Sequence, residues 1–320
     1  MMRKLQLTRK KIIIFLCVLC CFIIGIFIIK GKTDKKGTYE MSYHGEKYFF
    51  NDDMINILCL GIDNEEILGM RNSYNYSVGQ ADAIFLVSFN RDNKKMIITA
   101  IPRDTIVTLH KYQLDGEAAG TEEGQIALQY AYADGMEKSC ELMKEQVSTL
   151  LGGVPIHAYA AINLSAIPVI NDAVGGVTVT MDDDYTYLNP DFKKGATIHL
   201  MGESALDYMH RRDTSVHGSA IGRITRLVTY MKAFMPQAQK ALKEDTRIPF
   251  EILDELQDNA LTDLDAKTIA LLVKDLPGCS LSDEQIYTLD GTIDTSGEYE
   301  RYYIDEDTVM RWIINNLYKK

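Results

Sequence analysis

The feature that most restricts this chain is an unbroken apolar run from Ile12 to Ile29, eighteen residues of Ile, Leu, Val, Phe and Cys with a single Gly. A helix of that length reaches the lower limit for crossing the hydrocarbon core of a bilayer. Five basic residues precede the run and four follow it by residue 36, a small excess that sets the N-terminus in the cytoplasm. No small-x-small cleavage site follows, so the run reads as a retained signal-anchor rather than a removed signal peptide. Charge divides the chain at the same place. Of the 34 Lys and Arg and the 45 Asp and Glu, nine basic residues and one acid lie in 1–36, which leaves 25 and 44, a net charge of −19, for the rest. A body this acidic argues against nucleic acid as a partner, because that binding rests on a basic footprint. The expected organisation is a cytoplasmic tail (1–11), a single membrane span (12–29), a polar stalk (30–50) and an extracellular domain (51–320), large enough to bury one substantial core.

Three of the six cysteines sit in the anchor, leaving Cys59, Cys140 and Cys279 in the body. Such a sparse, odd set is neither a disulfide framework nor a metal-ligand spacing. Short apolar runs predict strands at Ile55–Ile62, Ala83–Asn90, Met96–Ile101, His157–Ile162, Val177–Thr180 and Ile286–Leu289. Helical spacing covers Gln125–Leu151 with a break near Gly135, then Leu164–Val174, Gly202–His210, Ile221–Lys243, Pro249–Asn259, Asp265–Leu276 and Asp305–Tyr318. Strands and helices interleave, which predicts an α/β class with the sheet buried between helical layers.

The loop Arg91–Lys95 has turn chemistry and predicts a hairpin in which Asn90 faces Met96. That register sets Asp82 opposite Asp104 and Ala83 opposite Arg103, with opposed side chains about 5 Å apart. If Ile55–Ile62 lies antiparallel beside Ala83–Asn90, Asp63 reaches the same sheet edge. Carboxylates held that close repel unless a cation lies between them, and oxygen ligands alone suit a hard ion such as Mg²⁺. The alternative is that these acids are solvated strand ends or ion-pair partners of Arg103.

A second cluster, Arg211, Arg212, Arg223 and Arg226, falls within sixteen residues of an otherwise acidic body. Arg223 and Arg226 lie in the first turns of a predicted long helix, three apart and on one face. A helix N-terminus is a poor place for cations unless an anion is bound there, and the planar guanidinium fork suits phosphate oxygens. The alternative is a set of surface salt bridges with the surplus acids. His210 and His217 lie nearby without a spacing that assigns them a role. Together the two clusters describe a site that handles a phosphorylated group.

Seven segments then occur in order: Asn56–Asp63 (NILCLGID), Ala81–Val87 (ADAIFLV), Ile101–Thr105 (IPRDT), Tyr130–Tyr132 (YAY), Asn171–Val179 (NDAVGGVTV), Leu200–Tyr208 (LMGESALDY) and Gly222–Arg226 (GRITR). Over roughly 54–240 the chain resembles the LytR-CpsA-Psr family of cell-envelope phosphotransferases. The resemblance implies a mixed sheet between helices with an apolar tunnel for an isoprenoid chain. It also implies transfer of a glycopolymer from a polyprenyl-pyrophosphate carrier to peptidoglycan, outside the membrane. On that basis Asp63 and Asp82 hold Mg²⁺, while Arg103, Arg212, Arg223 and Arg226 grip the pyrophosphate. Asp104 supports them or handles a proton, and Arg211 substitutes in substrate binding. Replacing Arg223 with alanine is then expected to abolish transfer with the fold intact. The chain departs from the family pattern at Ala81, His210, Ala220 and Leu227, where the family commonly has Arg or Ser, Arg, Asp and Gln. Those departures keep two other readings open, a protein that binds a lipid pyrophosphate without turnover and a lipid-pyrophosphate hydrolase.

Overall fold

Apolar runs without polar alternation mark strands covered on both faces, and such runs build the middle of this fold. The computed structural model describes residues 39–70, 77–113, 117–213, 215–264, 278, 279 and 281–320. The expected membrane span, the tail before it and the helix expected over 265–276 lie outside these residues. Among the described residues no helix is long and apolar enough to cross a membrane.

In chain order the strands are β1 (Glu40–Tyr43), β2 (Glu46–Phe50), β3 (Met54–Ile62), β4 (Ala81–Asn90), β5 (Met96–Ala100), β6 (Ile106–Tyr112) and β7 (Ala118–Gln125). They continue with β8 (Ala158–Asn163), β9 (Val177–Thr180), β10 (Thr197–Leu200), β11 (Ala260–Thr262), β12 (Ile286–Thr288), β13 (Gly291–Asp294), β14 (Arg301–Ile304) and β15 (Tyr318–Lys319). The helices are α1 (Leu128–Ala131), α2 (Glu137–Leu150), α3 (Ala166–Ala173), α4 (Glu203–His210), α5 (Ser219–Glu244), α6 (Ile248–Leu256) and α7 (Glu306–Leu317).

The central sheet runs β11-β8-β3-β4-β5-β12. It is mixed, because β8 and β12 pair in parallel with β3 and β5 while the other neighbours are antiparallel. Side chains alternate across a strand, and the two faces divide accordingly. Ile57, Cys59, Phe85 and Val87 pack with Ile170, Tyr208, Tyr230 and Phe234 from α3, α4 and α5. Leu58, Leu60, Ile84 and Leu86 pack with Tyr130, Met143, Val147 and Ile313 from α1, α2 and α7. The expected α/β class with its sheet between helical layers is the observed one. The three body cysteines are buried and form no disulfide with one another.

Three local expectations need correction. The β4–β5 register is shifted by one, with Phe89 rather than Asn90 opposite Met96. Asn90 instead closes the turn, its side-chain oxygen accepting from the N–H groups of Asp92 (3.0 Å) and Asn93 (3.2 Å), while Lys94 takes a left-handed φ of 60°. Such side-chain-to-backbone bonds compete with a strand ladder and draw a residue into the loop. The last part of the expected stalk is folded, since β1 and β2 form a hairpin that β15 extends into a three-stranded sheet. Gln125 ends the exposed hairpin β6–β7 instead of opening a helix.

Candidate active site

The carboxyl end of β3 meets the amino end of the antiparallel β4 at one edge of the sheet, and that edge carries the charged cluster. β3 and β4 pair down to Ile62 and Ala81, with a bulge after Gly61. The next N–H, that of Asp63, donates to the carbonyl of Gln80 at 2.9 Å. Asp63, just past the end of β3, therefore lies beside Asp82, the bulged second residue of β4. Asp82 is buried, with 9% of its surface exposed, and two arginines hold its carboxylate. Arg103 Nη1 donates to Oδ1 while its Nη2 donates to Gln80 Oε1 at 2.7 Å. Arg223 Nη1 donates to Oδ2 at 2.8 Å and to the His210 carbonyl at 3.4 Å, and its Nη2 donates to the Asp82 carbonyl at 3.1 Å.

Around this core the charges are closely coupled. Arg212 is half-buried, with Nη1 donating to Ser219 Oγ at 2.9 Å. Burial, and then the nearby Arg223 charge, lowers its pKa from the ordinary value. Burial also raises the carboxyl pKa of Asp104, against the pull of Arg103 and Arg212. Asp104 Oδ1 lies 3.4 Å from Arg103 Nε and accepts from Gln125 Nε2 at 2.9 Å. Asp63 is the exposed member of the set. His210 Nε2 lies 3.4 Å from its Oδ1, and hydrogen bonding from that imidazole holds the Asp63 carboxyl below its usual range.

Asp63, Asp82 and His210 each present one donor atom, all within 4.8 Å of one another. A carboxylate offers about four lone-pair sites, so Asp82 retains acceptor capacity beyond its two guanidinium bonds. The donor set fits a divalent cation.

The structure brings together Asp63, Asp82, Arg103, Arg212 and Arg223, with Arg211 at the rim. It does not bring Arg226 with them. Arg226 is 1% exposed, and its Nε donates to the Tyr208 carbonyl at 2.9 Å, its Nη2 to the Arg211 carbonyl. Its guanidinium lies 5.1 Å from the Tyr185 ring centroid. Arg226 thus ties down the end of α4 instead of facing the cleft, because the carbonyls left free at a helix C-terminus attract a cation. The anion expected at the start of α5 is in part the chain's own, since Glu300 Oε1 accepts from the Gly218 N–H at 2.7 Å. Arg211 pairs with Asp207 at 2.8 Å and is largely exposed. Gln80, Gln125 and Glu300 carry no signal in the sequence, because their partners are remote in the chain; His210 stands out there only as a departure where an arginine is common, with no role assigned.

Two cavities meet at this cluster. A polar cleft of about 480 Å³ includes Asp63, Asp82, Arg103, Arg212 and Arg223 in its lining. Beside it a narrow apolar channel of about 70 Å³ runs past Leu60, Phe85, Leu164, Leu227 and Met231. Asp82, His210 and Arg223 line both. Leu227, at a position where glutamine is common, belongs to the apolar wall. A second polar cavity, lined by Gln80, Asp104, Gln125 and Glu300, lies on the other side of Arg103 and Arg212.

Comparison with known proteins follows the same outline. The LytR_cpsA_psr family model matches residues 27–317. The polyisoprenyl-teichoic acid–peptidoglycan teichoic acid transferase TagU of Oceanobacillus iheyensis is 29% identical over 229 residues, 71% of this chain and 64% of that protein. The match thus spans just under two thirds of that relative's length. The Lin1025 protein from Listeria innocua is 25% identical with a TM-score of 0.54, covering 82% of this chain and 96% of the other. TagV of B. subtilis, at 22% identity, shares the fold with a TM-score of 0.59 over 83% of this chain and 96% of its own. Since the family model extends over both cavities and nearly all of the described residues, the chain belongs to the LytR_cpsA_psr family.

Proposed function

We propose that this protein is a membrane-anchored phosphotransferase that moves a glycopolymer from a polyprenyl-pyrophosphate carrier onto peptidoglycan. The observation that carries the reading is the junction of a guanidinium-lined polar cleft with an apolar channel at Asp82, His210 and Arg223. A pyrophosphate joined to an isoprenoid has the same two parts, a dense anion and a greasy chain. The resemblance of the first relative, a transferase acting between a polyisoprenyl-linked teichoic acid and peptidoglycan by its name, supports the same class of donor and acceptor.

In this reading Arg103, Arg212 and Arg223 bind the pyrophosphate and stabilise charge that builds on its oxygens. Asp63 and Asp82 would hold Mg²⁺, with Arg211 contacting substrate at the rim. When bound, the ion would supply Lewis-acid neutralisation of the pyrophosphate. The hydroxyl of the acceptor sugar attacks the phosphorus that bears the glycan. A new O–P bond forms, the P–O bond to the bridging oxygen breaks, and polyprenyl phosphate leaves with the electron pair. An acceptor entering through the adjoining polar cavity would pass its hydroxyl proton to Asp104, which lines that cavity and whose raised proton affinity suits a general base. Arg226 acts at one remove by fixing the backbone on either side of His210. The apolar run 12–29 would hold the domain at the cytoplasmic membrane's outer surface, where a lipid donor is presented.

The test is to mix the purified protein with a polyprenyl-pyrophosphate glycan, Mg²⁺ and peptidoglycan fragments and to follow the glycan by mass spectrometry. Transfer to the fragments with release of polyprenyl phosphate is the expected result. Phosphorylated glycan released without acceptor would identify a hydrolase, and tight donor binding without turnover would identify a binding protein.

A further inference from the structure

The residue that replaces the family's common arginine reaches the carboxylates. His210 ends α4, and three arginine bonds from α5 fix the backbone around it: Arg226 to the Tyr208 carbonyl, Arg223 to the His210 carbonyl and Arg226 to the Arg211 carbonyl. A backbone held at three successive points of one turn leaves the imidazole little freedom of position. Its Nε2 sits 3.4 Å from Asp63 Oδ1, and one donor atom each from Asp63, Asp82 and His210 lies within 4.8 Å of the others. An arginine here would bring a fixed positive charge and no lone pair, so it could not itself ligate a cation. A histidine nitrogen, by contrast, is a common metal ligand.

We propose that His210 is a third protein ligand of the divalent ion, making this a mixed carboxylate–imidazole site that prefers Mn²⁺ over Mg²⁺. The inference rests on the metal reading given above and adds to it the identity of a ligand and of the favoured ion. Mg²⁺ seeks oxygen donors and keeps its waters. Manganese takes carboxylate as readily and, although the weakest binder of the first-row divalent series, it is a transition metal that accepts an imidazole nitrogen more readily than Mg²⁺ does. Loss of the nitrogen should therefore weaken manganese far more than magnesium.

The experiment uses the full chain in detergent, free of any histidine tag, with Mn²⁺ alone as the probe. Electron spin-echo modulation of bound Mn²⁺ is expected to show ¹⁴N coupling from a directly bound imidazole, and His210→Gln is expected to remove it. Titration should show Mn²⁺ affinity falling on the order of tenfold or more in that variant, with Mg²⁺ affinity changed by less than about threefold because its preferred donors are oxygens. Mn²⁺ bound without nitrogen coupling, or coupling that persists in His210→Gln, overturns the assignment of His210 and leaves the metal reading standing. No Mn²⁺ bound by the wild-type chain overturns both.

Discussion

Arg223→Met is the substitution whose outcome the structure constrains most. The side chain is 3% exposed and makes three polar contacts, to Asp82 Oδ2 at 2.8 Å, the Asp82 carbonyl at 3.1 Å and the His210 carbonyl at 3.4 Å. Methionine keeps much of the volume and removes the charge and every donor. Breaking a buried ion pair by removing one partner costs about 3–5 kcal/mol when the remaining charge is stranded. Here Arg103 still neutralises Asp82, so the lower end of the range, about 3 kcal/mol, is expected. For a domain of this size that corresponds to a Tm lower by roughly 6–12 °C. Urea unfolding followed through Trp312, the single tryptophan, which stacks on Tyr287 at 4.4 Å, measures it. Pairing the change with Asp82→Asn should return about 2 kcal/mol as coupling energy, because the two residues share one contact. A stability within about 0.5 kcal/mol of wild type for Arg223→Met, the range usual for a surface substitution, would refute the reasoning. This revises the expectation that Arg223→Ala leaves the fold untouched: the residue binds the Asp82 carboxylate besides the pyrophosphate-binding role proposed for it.

Three further outcomes are expected. Asp104→Asn should lower transfer on the order of a hundredfold or more while raising stability at neutral pH. Burial raises the Asp104 pKa above 3.8, so its contribution is favourable at low pH and lost as pH rises through the folded value; the variant's advantage should vanish toward pH 3.8, as paired urea titrations would show. His157 has its pKa pushed down to about 4 from 6.5 by burial, and its Nδ1 accepts from the Asn56 N–H at 3.0 Å. A depressed folded pKa gives stability that is present above 6.5 and lost as pH falls toward 4. His157→Gln should therefore flatten the acid limb between those values by on the order of 2–3 kcal/mol. Leu164→Trp, in the wall of the apolar channel, should weaken binding of isoprenoid pyrophosphates at least tenfold and leave inorganic pyrophosphate unaffected, read by calorimetry.

The buried sheet was legible because each of its long strands is covered twice. β3 and β4 carry uninterrupted apolar runs, and their pairing leads straight to Asp63 and Asp82. Strands that face solvent left no such trace. β7 reads Ala-Ala-Gly-Thr-Glu-Glu-Gly-Gln and is mostly exposed, so nothing in its pattern separates it from a loop. The register error had a local cause in the Asn90 side chain and the left-handed Lys94, which no count of loop residues contains. At the site, the convergence of two aspartates and three arginines was legible from strand ends and helix starts. Arg226 was misjudged because three-residue spacing puts it beside Arg223 on the helix without saying that α4 ends against it. Glu300, which caps α5 from 82 residues away, depends wholly on tertiary folding.

The account rests on one cleft receiving both halves of an isoprenoid pyrophosphate, and calorimetric binding of farnesyl pyrophosphate, inorganic pyrophosphate and farnesol in Mg²⁺ tests it most directly. Burial of even two methylenes is worth about 1.6 kcal/mol, so farnesyl pyrophosphate should bind at least about tenfold more tightly than pyrophosphate. Farnesol should bind weakest, and Arg212→Ala should weaken both anions. Equal affinities for farnesyl pyrophosphate and pyrophosphate, or affinities for both that are unchanged in Arg212→Ala, would contradict it.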